Sequence, residues 1–335
     1  MYEKMWVTYP DLIVKILDYF NVSNKSDNIN KKTVLKFALN FKADDNSLTI
    51  NPVYIEKICD KLCLAGILIC IKHGTGINYD GVYLFISKDN DFYQKCKNGL
   101  TYYLNSTVYG FEYIYSSFKK NMLPIVYKGS DVDAQMGTCF RFADGIVTAK
   151  HCLSDLQEAS IIGYDSEFLN KCNIYVSDNE NVDLAYIETK EKITGMEAIC
   201  DAKIMEEVLV LGYPKIPTFT DFLTAELATV SSKSIARLTP TKGSIAAYGT
   251  QYTSAIEALL ITAKIRGGNS GGPVINSAGF VVGVACQTPY YGEDAGDYDD
   301  LGYGIAIPIN YLVEITQKRN NKMTLKKNFF VNYEK

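Results

Sequence analysis

Residues 267–273 read Gly-Gly-Asn-Ser-Gly-Gly-Pro, and this stretch decides how the rest of the chain is interpreted. Small residues around one hydroxyl form a tight turn that exposes the serine and lets a peptide backbone approach closely. The amides of Gly268 and Ser270 can point at a common spot there, where an oxyanion would form. A glycine-rich turn is also typical of an ordinary surface loop, so a functional interpretation requires a base elsewhere in the chain.

The candidate bases are the two histidines of the chain, His73 and His151. His151 comes at the end of a β-like run, Gly-Ile-Val-Thr-Ala-Lys-His, whereas His73 falls in a predicted loop where a solvated histidine is ordinary. Asp183 precedes a second run of this kind, Leu-Ala-Tyr-Ile. Taken singly, His151 also fits a structural role and Asp183 fits a turn cap. Their combination with Ser270 is what points to chemistry.

Together these stretches resemble the trypsin-like serine peptidases, and most closely the HtrA/Deg branch. The resemblance spans residues 124–316 and also includes Gly137-Thr138, Gly212-Tyr213-Pro214, and the runs at 281–284 and 304–308. The order histidine, aspartate, serine is that of this clan and differs from the orders in subtilisins and α/β-hydrolases. The resemblance implies an all-β double β-barrel peptidase domain over residues 123–318.

The resemblance also implies a role for each residue and requires no cofactor or metal. Ser270 would attack the scissile carbonyl of a polypeptide substrate, His151 would move the proton, and Asp183 would hold the imidazole. The amides of Gly268 and Ser270 would form the oxyanion hole.

The sequence indicates the residues of the substrate pocket less clearly than the catalytic residues. Counting back six residues from Ser270 places Lys264 at the pocket base, and Cys286, Gln287 and Thr288 match the strand that pairs with substrate. Lys264 could favour an acidic side chain or point to solvent. HtrA-like pockets take small or aliphatic side chains, which we expect here, and Tyr303 could crowd the pocket. The acidic run at 293–300 fits a solvated loop, a contact with a basic partner, or a calcium site.

Three departures from the family pattern bear on regulation. Cys152 follows the histidine as in secreted trypsins, but Met136 occupies the position of its usual disulfide partner. Asn269 stands where digestive trypsins have aspartate, so activation through an ion pair with a new N-terminus is not expected. We expect no PDZ module after the barrel, unlike in the HtrA pattern. The nine cysteines are scattered without a CxxC pair, which predicts free thiols and a cytoplasmic location.

The N-terminal ninety residues predict a small separate domain. Apolar positions at helical spacing predict helices over 11–20, 31–41 and 52–64, followed by strands over 67–71 and 82–86. Three helices and a two-stranded hairpin resemble a winged-helix domain. We expect a helical connector over 91–122 and a C-terminal tail over 319–335. The fold class is therefore α+β and multidomain.

Charge argues against nucleic acid as a partner. The chain has 34 basic and 38 acidic side chains, a net charge of -4, and its first arginine is Arg141. In the third predicted helix Lys57 and Lys61 are offset by Glu56 and Asp60. This domain has no arginine, the residue that most often binds guanine by two hydrogen bonds. Protein docking or dimerisation is the better expectation. The longest apolar run, residues 63–71, is too short to cross a membrane.

The leading hypothesis is a cytoplasmic, ATP-independent serine endopeptidase that its N-terminal domain regulates or targets. One alternative is a catalytically silent trypsin fold used for binding, which the complete set of catalytic residue types disfavours. Another is a protease-linked transcription regulator that uses the winged helix, which the charge of that domain disfavours.

Overall fold

The computed structural model divides into two compact units, residues 1–114 and 115–335. The described residues are 5–22, 31–41, 50–75, 78–86, 99–128, 135–153, 158–165, 167–189, 197–217, 227–231, 234–250, 255–286, 303–323 and 325. Within these stretches, every helix is too short or too polar to cross a lipid bilayer.

The N-terminal unit is built from short helices and one hairpin. The helices are α1 (Met5–Thr8), α2 (Leu12–Phe20), α3 (Val34–Asn40), α4 (Pro52–Leu64) and α5 (Thr101–Tyr109), and α6 (Phe111–Phe118) crosses the boundary between the units. The Asn51 side chain accepts a hydrogen bond from the Val53 amide (3.0 Å), and Pro52 occupies the first turn, so α4 begins where predicted. Helix α3 begins three residues later than predicted because Thr33 caps it through the Lys36 amide (3.3 Å).

The hairpin follows α4 in the predicted order. Strands β1 (Ile69–Lys72) and β2 (Val82–Leu84) are antiparallel, with Ile69 opposite Leu84. Tyr83 is buried against the helices and donates a hydrogen bond to Asp60 (2.9 Å). Helix α5 lies in the stretch predicted as a connector, yet its Leu104 and Val108 are part of the same hydrophobic core. This helix therefore belongs to the N-terminal unit.

The second unit contains one closed barrel and one open sheet. The first strands are β3 (Met122–Lys128), β4 (Gln135–Phe142), β5 (Gly145–Thr148), β6 (Glu158–Ile161), β7 (Asn173–Val176) and β8 (Ala185–Glu188). The next are β9 (Glu207–Gly212), β10 (Lys215–Pro217), β11 (Leu227–Ser231), β12 (Ser234–Arg237), β13 (Thr239–Thr250) and β14 (Glu257–Ile261). The last are β15 (Pro273–Asn276), β16 (Val281–Cys286), β17 (Gly304–Pro308) and β18 (Lys322–Met323), with helices α7 (Phe168–Lys171) and α8 (Ile309–Lys318).

The strand order corrects the predicted double β-barrel in one respect. Strands β13-β14-β17-β16-β15-β9 form a closed barrel, as expected for one half. The other half is a seven-stranded sheet in the order β18-β7-β8-β5-β4-β3-β6, a half-barrel in the described residues because its edge strands β18 and β6 do not pair. Strands β10, β12 and β11 form a separate three-stranded sheet. The fold is thus a trypsin-like pair of β-domains with an N-terminal helical region.

The residues that follow α8 form part of the seven-stranded sheet. Strand β18 pairs with β7, and Arg319, which ends α8 at a φ of 44°, binds both carboxylate oxygens of Asp144 (2.8 and 3.0 Å). The same guanidinium pairs with Glu188 and lies over the Tyr186 ring. Asp144 directly precedes β5 and Glu188 is the last residue of β8. Arg319 therefore holds together the ends of two strands whose opposite ends lead to His151 and Asp183.

Candidate active site

His151 and Asp183 meet because their strands are antiparallel neighbours. Strand β5 runs toward His151 and β8 runs away from Asp183, with Thr148 opposite Ala185. His151 lies in a 3₁₀ turn, Lys150–Cys152, three residues beyond Thr148, and Asp183 lies two residues before Ala185. Antiparallel pairing thus brings to one point two residues that are 32 apart in sequence.

The Asp183 carboxylate holds His151 by two hydrogen bonds. One oxygen lies 2.6 Å from Nδ1 of the imidazole, and the other accepts the His151 backbone N–H at 2.8 Å. Because an ionised carboxylate can only accept, Nδ1 carries a proton, which leaves Nε2 as the basic nitrogen. The Tyr127 ring also packs edge-on to the imidazole, with ring centroids 6.2 Å apart.

The environment of His151 changes its basicity in two opposing ways. Burial of the imidazole disfavours the charged form, but interactions with the Asp183 carboxylate and the neighbouring Cys152 thiol favour it and prevail. The pKa of His151 is therefore raised above its ordinary value of 6.5.

Ser270 lies in the loop between β14 and β15 and is almost fully buried, with 1% of its surface exposed. Its Oγ and the Nε2 of His151 are both shielded from solvent, and neither has a hydrogen-bond partner among the described residues. The structure thus forms the histidine–aspartate bond but no bond between serine and histidine.

Gly137 shows how near the serine loop lies to the histidine turn. A methyl group built on Gly137 would lie 2.6 Å from the Cys152 sulfur and 3.4 Å from the Ser270 carbonyl oxygen. One built on Gly271 would lie 2.2 Å from the Thr138 carbonyl oxygen and 2.7 Å from the Ala149 nitrogen. Only glycine permits such approaches, so these two residues let the loop pack directly against the strands that precede His151.

The backbone before Ser270 forms a tight turn. The Asn269 amide donates to the Arg266 carbonyl (2.9 Å), and Gly268, the third residue of this turn, has a φ of +102°. A positive φ at the third position is that of a type II turn, which favours glycine. In the described part of the chain, the amides of Gly268 and Ser270 donate no hydrogen bond. Both N–H groups are therefore available to a ligand oxygen.

The predicted substrate-binding residues have different environments. The Lys264 side chain is exposed, whereas the next residue, Ile265, packs on the core of the closed barrel. Cys286 is buried and its thiol donates to the Ile305 carbonyl (3.7 Å), while burial, followed by the nearby Asp183 charge, raises its pKa. Gln287, Thr288 and the acidic run at 293–300 lie outside the described residues.

Several neighbours of the site have no signal in the sequence. Ile265 lies against Gly304, where a Cβ would meet its side chain at 2.6 Å, and Thr138 contacts both Gly268 and Ser270. Gly137-Thr138 belongs to the family resemblance, but spacing alone does not show what the threonine hydroxyl binds. In the described ranges, no group of three or more histidine, cysteine or acidic side chains could hold a metal ion.

Comparisons with known proteins agree with this geometry. Residues 137–284 match the family model of the trypsin-like peptidase domain. Two curated relatives, each named serine protease Do-like HtrA, come from Lactococcus lactis subsp. cremoris and subsp. lactis. Each is 29% identical over 196 residues, which cover 58% of this chain and 43% of the relative. The chain thus spans less than half the length of these relatives.

Among solved structures, the active form of the Rv3671c protease from M. tuberculosis is 18% identical to this chain, with a TM-score of 0.46. The similarity covers 64% of this chain and 86% of that one. Residues 137–284 are therefore similar to the trypsin-like peptidase domain, and 196 residues of the chain are similar to HtrA serine proteases.

Proposed function

We propose that the chain is a serine endopeptidase whose catalytic residues are His151, Asp183 and Ser270. The observation that carries this proposal is the pair of hydrogen bonds that His151 donates to the Asp183 carboxylate, which leaves Nε2 as the basic nitrogen beside the serine loop. A serine–histidine bond is commonly long in a free enzyme and shortens when substrate binds. Its absence here is therefore compatible with catalysis.

In the proposed reaction, Nε2 of His151 removes the Ser270 proton as Oγ attacks the scissile carbonyl. The resulting oxyanion accepts hydrogen bonds from the amides of Gly268 and Ser270, and Asp183 stabilises the imidazolium. His151 then gives its proton to the leaving amine, which breaks the peptide bond and leaves an acyl-enzyme. In the second half, His151 deprotonates a water molecule, and the resulting hydroxide attacks the ester carbonyl. The bond to Ser270 Oγ then breaks to release the acid product, and His151 returns the proton to Oγ.

A fluorophosphonate probe tests this proposal directly, because it labels only an activated serine. We expect stoichiometric labelling of the wild-type chain and none of Ser270→Ala, since loss of the nucleophile costs on the order of 10⁶ in turnover. Ser277→Ala, which changes an exposed serine outside the site, is the matched control and should be labelled normally. Equal labelling of Ser270→Ala would show that another residue is the nucleophile.

One observation favours a second candidate function, a silent trypsin fold used for binding. In the part of the chain that the structure describes, neither Ser270 Oγ nor His151 Nε2 has a hydrogen-bond partner. A fold that only binds peptides would hold its serine unreactive in this way. An unlabelled wild-type chain that still binds peptides would select this alternative.

We further propose a preference for small or aliphatic substrate side chains next to the cleaved bond. Ile265 and Gly304 support this preference, because the isoleucine occupies the space that the glycine leaves open. The exposure of Lys264 fits the solvated alternative for that residue.

The N-terminal unit, in our proposal, is a winged-helix-like module that regulates the peptidase through protein contacts. Lys61, one of the two lysines considered for DNA contact, donates to the Val108 carbonyl within its own unit. The hairpin instead exposes an apolar face, with Ile69, Ile71 and Ile86 each at least half exposed. These side chains suit a protein surface better than phosphates.

We propose a second copy of this chain as the partner of that face. In the described residues, β1 pairs only with β2, so its outer edge is open. Two identical strands that pair antiparallel are related by a two-fold axis, which closes the assembly as a dimer. Lys72, the charged residue of β1, is already paired with Asp80 of the same hairpin. Two such edges can therefore approach without charge repulsion.

We also propose a cytoplasmic location, because the eight described cysteines are all free thiols, four of them buried. Thiol titration under denaturing, non-reducing conditions should then find nearly all nine cysteines of the chain reactive. Loss of two or more thiols in freshly purified protein would contradict this proposal, because it would indicate a structural disulfide.

A further inference from the structure

Thr138, near the start of β4, makes four hydrogen bonds and has no exposed surface. Its hydroxyl donates to the Gly268 carbonyl (2.6 Å) and accepts from the Tyr213 amide (2.9 Å). Its own amide donates to the Ser270 carbonyl (2.8 Å), and its carbonyl accepts from the Thr148 hydroxyl (2.8 Å). The residue thus joins the half-barrel to the end of β9 and to the serine loop.

These bonds fix the peptide planes on both sides of the 269–270 peptide. In the 268–269 peptide, the Gly268 carbonyl accepts from the Thr138 hydroxyl, and the Asn269 N–H donates to the Arg266 carbonyl (2.9 Å). In the 270–271 peptide, the Ser270 carbonyl accepts from the Thr138 amide, and the Gly271 N–H donates to the Ala285 carbonyl (2.7 Å). Since a trans peptide is planar, a plane bonded at both ends has little freedom to rotate.

The peptide between them carries the Ser270 N–H. Its carbonyl accepts from the Gly272 amide (2.9 Å), so its N–H points the opposite way, toward the space where we place the oxyanion. The torsion angles that aim this N–H and the Ser270 side chain lie between the two planes that Thr138 holds.

We propose that Thr138 is the positioning residue of the oxyanion hole: it touches no substrate but sets the direction of the Ser270 N–H and Oγ. The inference rests on the proposed peptidase function. It explains why a polar side chain is buried at the junction of the two β-domains, where valine would fill the same space without bonds.

The test compares Thr138→Val with Thr138→Ser on a fluorogenic peptide. Valine removes the hydroxyl but keeps the shape, so the hydrogen bonds that this hydroxyl makes to the Gly268 carbonyl and the Tyr213 amide are lost. We expect kcat to fall about 10- to 100-fold with KM changed less than about threefold, because loss of a whole oxyanion donor costs roughly 10²–10³. Serine keeps the hydroxyl and should restore kcat to within a few-fold of wild type.

Thr189→Val is the matched control for a purely structural effect. Thr189 is also buried in this unit, and its hydroxyl donates to a backbone carbonyl, that of Asp144 (3.0 Å), at the end of β8 away from the site. We expect this variant to lower the melting temperature but not kcat. If Thr138→Val and Thr189→Val change kcat equally at a temperature where both are folded, the inference is wrong.

A replacement variant and a labelling experiment cover the remaining outcomes. If Thr138→Val does not fold, Thr138→Cys replaces it, and its weaker donor should give a kcat below that of Thr138→Ser. Equal kcat values for these two variants would overturn the inference. Fluorophosphonate labelling of the wild type distinguishes failure of the peptidase proposal from failure of the Thr138 proposal. An unlabelled wild type refutes the peptidase proposal itself. A labelled wild type together with Thr138 variants of unchanged kcat refutes only the role of Thr138.

Discussion

At the scale of single residues, the Asp183 carboxylate does two things at once. It fixes the imidazole of His151 through Nδ1 and fixes the turn that carries it through the backbone N–H. The first bond selects the tautomer, and the second keeps the ring from moving away from the serine loop. An asparagine at this position could donate to Nδ1 and leave the proton on the wrong nitrogen.

The raised pKa of His151 predicts how activity depends on pH. The proposed base must be neutral, so kcat/KM should increase as pH rises through the pKa of His151, which lies above 6.5. Asp183→Asn removes the charge that favours the imidazolium. This variant should therefore shift the rising limb of the pH–rate profile to lower pH and lower kcat about 10⁴-fold. Rate measurements on both proteins from pH 5 to about 10 check this. An unshifted limb in Asp183→Asn would show that another group titrates.

The same shift has a consequence for stability. The folded protein binds the His151 proton more tightly than the unfolded chain does. The pair therefore adds to the free energy of unfolding below pH 6.5, and this contribution is lost as pH rises through the folded-state pKa.

At the scale of elements, the site depends on strands that end in register and on loops that approach each other closely. Strands β5 and β8 deliver the histidine and the aspartate to one end, and Arg319 holds their other ends together. The loop after β14 delivers Ser270, and Ile265 of the same loop lies against Gly304 at the start of β17.

This contact between the loop and β17 predicts the response of substrate preference to mutation. Ile265→Ala should enlarge the proposed pocket and shift kcat/KM toward larger aliphatic and aromatic side chains by about 10-fold, since one or two methylene groups in such a pocket change discrimination on that scale. Lys264→Ala, the neighbouring control, should leave the preference unchanged because its side chain is exposed. A panel of fluorogenic peptides measures both. Loss of cleavage after acidic residues in Lys264→Ala would instead favour the acidic preference.

At the scale of the whole molecule, the chain joins a peptidase domain to an N-terminal unit with a core of its own. The C-terminal core lies in two clusters, one for each β-domain, and the proposed catalytic residues come from both. The N-terminal unit contributes no residue to the proposed catalytic set, which leaves it free to control assembly.

The exposed face of the hairpin predicts self-association of the full chain. Sedimentation analysis over a range of concentrations should show a monomer–dimer equilibrium, and Ile71→Lys should weaken it at least about tenfold by placing a charge in the interface. Leu39→Lys is the control, because Leu39 is 66% exposed on α3 and lies outside the hairpin. A wild type that stays monomeric, or an equal effect of both variants, would contradict the proposed dimer.

DNA added to the intact chain should change neither assembly nor activity.

Much of the fold follows from the sequence because its signals are local. The apolar spacing and the Asn51-Pro52 start predict α4, and the alternation of short apolar runs with turn residues predicts a β-rich second unit. The Gly-Gly-Asn-Ser-Gly-Gly turn and the order of His151, Asp183 and Ser270 point to the same chemistry. Each of these signals is either a short run of neighbouring residues or the order of such runs along the chain, so one sequence suffices to detect them.

What the tertiary structure alone decides depends on residues far apart in sequence. Within the part of the chain that the structure describes, β18, formed after the last helix, pairs with β7 at one edge of the half-barrel and not with β6 at the other. Ile265, not Lys264, faces the barrel core, and the Thr138 hydroxyl reaches the Gly268 carbonyl 130 residues away. Hydrogen bonds and packing act over a few ångströms, whatever the separation along the chain. The sequence therefore determined which residue types were available, and the packing of the two β-domains determined which of them meet.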